Sequence, residues 1–282
     1  MAGCGRREWY ERTDEVGGAQ RNERRNRQAG QRPGAVVAAA RQAPADRTRI
    51  IMVIIAVVVV GAALITFAVI SNNKKNATEG QNIKPQKPTT SASVPAKRDG
   101  GTVLVGKDGA KVTLDVYEDF LCPFCGKFEQ TYHQQIDQKV QAGELKVRYH
   151  MLPLLNEKSD PPGYSLDAAN AALLSADAGK FVEFHNSLYA VGTQPEEGSR
   201  GYDDDQLIKL GKDIGITSPA FAIGIKSNKY DSLINAELEK AEKAPYLQQD
   251  YGNGQVGFGT PTVTNGQKII DISDPNWLNQ LA

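Results

Sequence analysis

Ile50 to Ile70 reads IIMVIIAVVVVGAALITFAVI, 21 residues whose only polar side chain is Thr66. A helix of that length spans about 30 Å, the thickness of a bilayer's hydrocarbon core. A signal peptide has an apolar region of only about 7–15 residues and ends in a small-x-small site. This run is longer, has 49 residues before it and continues as VISNNKK, so the pattern predicts an uncleaved single span at 50–70. From residue 102 the pattern becomes mixed. Thr102–Val105 and Val112–Tyr117 read as strands around a Lys107-Asp108-Gly109 turn. Phe128, Tyr132, Ile136 and Val140, four apart, predict a helix over 123–142 that Gly143 stops. Leu145–Met151 alternates as a strand with one buried face, completing a βαβ unit. Helices follow at 165–177, 180–189, 203–214 and 227–244. Strands return at 261–264 and 268–272 around Asn265-Gly266, and 274–281 closes as a short helix. The fold class is α/β, a small mixed sheet with a helical insertion at about 160–250, preceded by one transmembrane helix.

Composition divides the remainder. Residues 1–49 hold 11 Arg and 6 acidic groups and have no sustained period, so they read as a disordered basic tail. Residues 71–101 are rich in Pro, Ser, Lys and Asn and read as a flexible linker. The domain at 102–282 holds 16 basic and 25 acidic groups, which excludes nucleic acid as its partner. The cations flanking the span tie, Arg32, Arg41, Arg47 and Arg49 against Lys74, Lys75, Lys84 and Lys87. The Arg-rich tail beyond them favours a cytoplasmic N-terminus. Cys4 has no apolar stretch before it and reads as incidental.

The chemistry lies in Glu118-Asp119-Phe120-Leu121-Cys122-Pro123-Phe124-Cys125, where a strand ends and a helix starts. Pro123 suits the first helical position, which needs no N–H. Cys122 is then the cap, its sulfur facing unpaired amides, and Cys125 lies on the same helical face. The dipole supplies at best ~2 kcal/mol, so a thiol pKa drop beyond about 1.5 units needs direct hydrogen bonds to sulfur. Glu118 and Asp119 oppose that drop wherever their charges approach. In the redox reading Cys122 attacks and Cys125 resolves the mixed disulfide, with Cys122–Cys125 as the redox bridge. Half a zinc site, an inert disulfide and a silent buried pair are the competing readings. The zinc reading lacks a second CxxC, and His133, His150 and His185 are scattered.

Gly257-Phe-Gly-Thr-Pro261-Thr-Val-Thr-Asn-Gly266 places Pro261 at the start of a strand. A cis Thr260–Pro261 bond would turn the Thr260 backbone outward to pair with an extended peptide. An ordinary edge-strand proline is the other reading.

Together VTLDVYEDFLCPFC, GKFVEFHNSLY and GTPTVTNGQ resemble the DsbA-like thioredoxin-fold family over about 102–282, especially its single-span bacterial members. The resemblance implies a thioredoxin-like fold, Cys122 as nucleophile, Cys125 as resolving thiol and Pro261 as a facing cis-proline. It also implies an insertion that helps form a groove for unfolded polypeptide, with Phe124 and Thr260 beside it. Three positions depart from the family. Val116, beside Asp115, stands where many members carry a buried acid, leaving proton handling to Glu118, Asp119 or water. Phe124 replaces the histidine of the strongest oxidases, and Thr260 their valine, which implies a less oxidising couple.

The expected function is a membrane-anchored extracytoplasmic thiol–disulfide oxidoreductase that forms disulfides in reduced secreted proteins. It needs no cofactor or metal and is reoxidised by a quinone-linked membrane partner, as the resemblance implies. Disulfide donation selects a cytoplasmic N-terminus and an extracytoplasmic domain. A tethered reductase and a non-catalytic peptide-binding or redox-sensor module are the alternatives. His185 reads as a helix-surface or satisfied, partly buried histidine, and Asp203-Asp204-Asp205 as a helix N-terminal cluster. Asn76-Ala-Thr78 matches a glycosylation acceptor.

Overall fold

A computed structural model describes residues 45–87, 94–252 and 254–281. Cys4 and most of the expected tail lie outside the described residues. The chain divides into two compact units, Met1–Ala56 and Val57–Ala282. What is described of the first is helix. Helix α1 covers Ala45–Lys75, and its stretch Ile51–Lys75 is long and apolar enough to cross a membrane, with none of its most apolar part buried.

In the second unit, strands β1 (Ala96–Asp99), β2 (Thr102–Val105), β3 (Val112–Glu118) and β4 (Leu145–Met151) join β7 (Thr262–Asn265) and β8 (Lys268–Ile269) in one sheet. Their order is β1-β2-β4-β3-β7-β8. β3 lies near the centre, parallel to β4 and antiparallel to β7. The expected turn at 107–109 does not make a β2–β3 hairpin, because β2 pairs with β1 and β4 instead. Leu114 and Val116 of β3 are fully buried, so one face of the sheet is core.

Helix α2 (Pro123–Ala142) crosses from β3 to β4. It starts on a proline in its first turn and ends at Gly143, whose φ of 79° is the left-handed cap that glycine adopts without strain. Its apolar stripe, Phe128, Ile136 and Val140, is buried. Trp277, on the closing 3-10 turn Trp277–Gln280, seals this stripe by stacking on Phe128. The insertion supplies α3 (Tyr164–Asp177), α4 (Phe181–Tyr189), α5 (Asp204–Asp213), α6 (Pro219–Lys226) and α7 (Asp231–Lys243). α3 is buried almost all round by its alanines, and it lies so close to α6 that a Cβ on Gly224 would meet Leu174 Cδ2 at 2.5 Å.

Several elements depart from the sequence expectation. The helix expected at 227–244 is α7, and a helix that was not expected, α6, precedes it, capped by Ser218 with Pro219 in its first turn. A two-stranded ribbon, β5 (Gln249–Asp250) with β6 (Val256–Gly257), precedes the Pro261 strand. That strand is not an edge: β7 is flanked by β3 and β8, and Pro261 stands one residue before it. The described parts of the flexible linker expected at 71–101, residues 71–87 and 94–101, are instead tied to the rest of the second unit. α1 extends to Lys75, whose carbonyl accepts from Arg200 N at 2.6 Å. Thr78 Oγ1 donates to Arg200 O and Gly201 O, Gln206 Nε2 donates to the carbonyls of Thr78 and Gln81, and Ile83 is buried in the core. Residues 96–99 form β1. A polar composition thus carries one apolar anchor and a few backbone contacts that tertiary structure uses. The same contacts occupy Thr78, the hydroxyl of the glycosylation motif. Ile83→Ala is expected to cost about 2–5 kcal/mol, as other buried aliphatic truncations do, read as a lower urea midpoint of the full chain.

Candidate active site

The turn 118–122 takes the chain from β3 into α2, and its two acids face inward. Asp119 is buried and accepts three hydrogen bonds of 2.7 Å each, from Leu121 N, Leu155 N and Ser165 Oγ. Burial raises its pKa to about 6 against the pull of these donors. It is a staple for the turn. Its backbone N–H, not its carboxyl, faces Cys125 Sγ, at 3.5 Å.

Cys122 occupies the cap of α2 in extended conformation, with Pro123 in the first turn. Both cysteines are free thiols, Cys122 4% exposed and Cys125 fully buried. Cys122 has its pKa lowered from 9.0 to about 7. The largest cause is a hydrogen bond from Cys125, which outweighs burial. The backbone amides of Cys125 and Phe124 add to it, although the Cys122 side chain makes no cap hydrogen bond. Cys125 moves the other way. Burial, then its bond to Cys122 and the Glu118 charge, pushes its thiol well above the ordinary value. One sulfur is therefore poised to ionise and the other to keep its proton.

The Thr260–Pro261 bond is cis. The Thr260 carbonyl accepts from Cys122 Sγ at 3.3 Å, while its hydroxyl is buried without a hydrogen-bond partner. Phe124 is 73% exposed. With Lys127, Tyr132, Tyr251, Thr260 and Pro261 it lines a groove of about 660 Å³. The structure thus brings together Cys122, Pro123, Phe124, Cys125, Thr260 and Pro261.

Val116 is buried in the core. The carboxylate of its neighbour Asp115 is occupied by His150 Nε2 at 3.0 Å. Neither supplies an acid at the sulfurs. Glu118 does lie close enough for its charge to bear on Cys125. Its partner is His185, which is not on a helix surface but 2% exposed, donating from Nε2 to Glu118 Oε1 at 2.5 Å. Rings of Phe120, Tyr149, Phe181 and Tyr189 surround the imidazole at centroid distances of 4.8–5.8 Å. Such faces favour a buried cation. Burial works against charge on His185, but Glu118, helped by Glu129, lifts its pKa to about 9.

Glu129, one turn beyond Cys125 on α2, completes the cluster. Burial and then the Glu118 charge raise its pKa to about 8, so it keeps its proton at neutral pH. Oxygen and nitrogen atoms of these three residues lie within 4.8 Å of one another. Within the cluster His185 Nε2 and Glu118 Oε1 share a proton, while Glu118 Oε2 and Glu129 Oε1 are buried without a hydrogen-bond partner. Sequence reading missed Glu129 and the burial of His185. A glutamate four residues from Cys125, on a helix whose neighbour Phe128 is core, was the available cue for Glu129.

These groups make stability fall as pH rises. His185 binds its proton more tightly when folded, so the ion pair's contribution is complete below pH 6.5 and lost through about 9. Glu129 and Asp119, raised to about 8 and 6, act in the same direction over their own ranges. Cys122 opposes them in the reduced protein between about 7 and 9. Urea melts of a Cys122→Ser chain are therefore expected to fall steadily from pH 6 to 9, and those of the reduced wild type less steeply above pH 7.

A sequence profile described as Thioredoxin matches residues 98–279. Among curated proteins, the chain is 31% identical over 183 residues to the serine/threonine-protein kinase PknE of Mycobacterium tuberculosis, covering 64% of this chain. The match takes in 31% of that protein, so the chain spans about a third of its relative's length. Among solved structures, the MdbA protein of Corynebacterium matruchotii, a thiol-disulfide oxidoreductase, is 23% identical with a TM-score of 0.55, covering 75% of this chain and all of that one. BdbD from Bacillus subtilis is 21% identical with a TM-score of 0.51, covering 68% and 96%. Both likenesses establish a shared fold.

Proposed function

This chain belongs to the thioredoxin family, and on that footing we propose that it is a membrane-anchored, extracytoplasmic thiol–disulfide oxidoreductase with Cys122 as nucleophile and Cys125 as resolving thiol. The observation that carries the reading is the asymmetry of the pair, one thiol lowered to about 7 and its neighbour raised, with the Thr260 carbonyl at the nucleophilic sulfur.

In the oxidising direction a substrate thiolate attacks Cys122 of the disulfide, and Cys125 leaves and takes a proton. A second substrate thiolate then attacks the mixed disulfide and releases Cys122, which stays largely ionised. Two electrons pass to the protein and on to a membrane quinone-linked reoxidant. The groove beside Phe124 and Thr260 receives the substrate, an unfolded, reduced secreted polypeptide in extended form.

The size of the shift bears on direction. A thiol at about 7 rather than 9 is about half ionised at pH 7. That favours the reduced form by only about 0.4 kcal/mol, or about 9 mV. Thioredoxin's nucleophilic thiol also lies at ~7, whereas DsbA's lies at ~3.5, which supports a tethered reductase as the second reading. The test is the full chain in detergent, oxidised and mixed with a reduced, unfolded protein. Faster disulfide formation than with glutathione disulfide supports the oxidase. Reduction of a disulfide substrate by the dithiol form, without that oxidation, supports the reductase. Neither activity overturns both.

A further inference from the structure

Phe120 O and Cys122 O point out of the active-site turn toward the loop between α4 and α5. Gln194, in that loop, reaches both. Its Nε2 donates to Phe120 O at 2.9 Å and to Cys122 O at 2.8 Å, which uses both hydrogens of the amide. The remaining amide oxygen lies over Gly126, where an added Cβ would stand 2.0 Å from Oε1. Gly126, the residue after Cys125, is thus the gap in α2 that admits this carboxamide.

Gln194 has no helix or strand of its own to hold it. Its loop is tied at Thr193, whose carbonyl accepts from Tyr202 Oη at 2.8 Å. Farther on the loop is tied to the segment that follows α1. Thr78 Oγ1 donates to Arg200 O at 2.8 Å and Gly201 O at 3.1 Å, and Arg200 N donates to Lys75 O at 2.6 Å. Segment and loop together enclose a cavity of about 440 Å³ that Gln194 also lines.

We infer that Gln194 is a positioning residue for the Cys122 turn, and that residues 75–83, running on from the apolar helix, buttress it. The argument rests on the thiol chemistry proposed above. The Cys122 sulfur is activated by donors whose directions are fixed by the turn's backbone, and Gln194 binds that backbone at the residue itself and two before it. Without the carboxamide the turn is held by Asp119 from one side only, and the sulfur drifts from its donors. The buttress makes the anchor segment a part of the site's geometry rather than a tether.

The test is the pH profile of Cys122 alkylation in the full chain in detergent, with the site assigned by mass spectrometry. Gln194→Ala is expected to raise the midpoint by about one unit and slow alkylation at pH 7 about fivefold, the fall in thiolate fraction that such a rise produces. Gly126→Ala, which displaces the carboxamide while keeping Gln194, shifts it the same way. Thr78→Ala shifts it by a smaller amount in the same direction. An unchanged midpoint in both Gln194→Ala and Gly126→Ala, whatever their melting temperatures, overturns the positioning role. An unchanged midpoint in Thr78→Ala alone overturns the buttress. A wild-type midpoint at the ordinary thiol value would instead sink the redox reading on which the inference rests.

Discussion

Cys122→Ser is expected to abolish thiol–disulfide exchange, a loss on the order of a thousandfold or more, because a hydroxyl supplies no nucleophile at neutral pH. Its fold should survive, since the sulfur's contacts are one long bond to Thr260 O and its neighbour's thiol. Cys125→Ser should behave differently. Cys122 still attacks, but nothing resolves the adduct, so mixed disulfides with substrate accumulate. Nonreducing gels and mass spectrometry of the purified full chain separate the two outcomes. Accumulation on Cys125 in the Cys122→Ser chain would reverse the assigned roles.

The second large effect is on stability. His185→Ala removes the imidazole that donates to Glu118 Oε1, on a side chain that is itself fully buried. Breaking one side of a buried pair leaves an uncompensated charge, at a cost of about 3–5 kcal/mol. The loss reaches the chemistry too. Glu118 already makes Cys125 harder to ionise, and without the imidazolium that effect grows, so resolution of the mixed disulfide slows relative to its formation. His185→Gln keeps a donor without a charge and should lose less stability. It should also flatten the decline of urea midpoint between pH 6.5 and 9, which a merely space-filling role for His185 would leave unchanged.

The parts of this site that were legible in the sequence are those set by local chain geometry. Cys122-Pro123-Phe124-Cys125 sits between an alternating strand and a helix of regular apolar spacing, so adjacency alone placed both sulfurs at a helix mouth. Pro261 was legible as the start of a strand, but its place opposite Cys122 depends on β7 pairing with β3, 138 residues along the chain from Cys122 to Thr260. The family resemblance supplied that pairing; spacing could not. His185 stayed hidden because its partner lies 67 residues away, and an amphipathic helix does not reveal which polar residue faces inward. The segment at 71–101 misled for the opposite reason. Composition reported its many polar residues, while Ile83 and Thr78 decided its structure by burying one side chain and satisfying two carbonyls.

The most direct test of a thiol pair divided between an ionised and a protonated sulfur is alkylation of the reduced wild-type chain across pH 5 to 10, scored separately at Cys122 and Cys125. The structure predicts a Cys122 midpoint at about 7, and a Cys125 that stays unreactive throughout the neutral range. Equal reactivity at the two positions, or a Cys122 midpoint at 9, would contradict it.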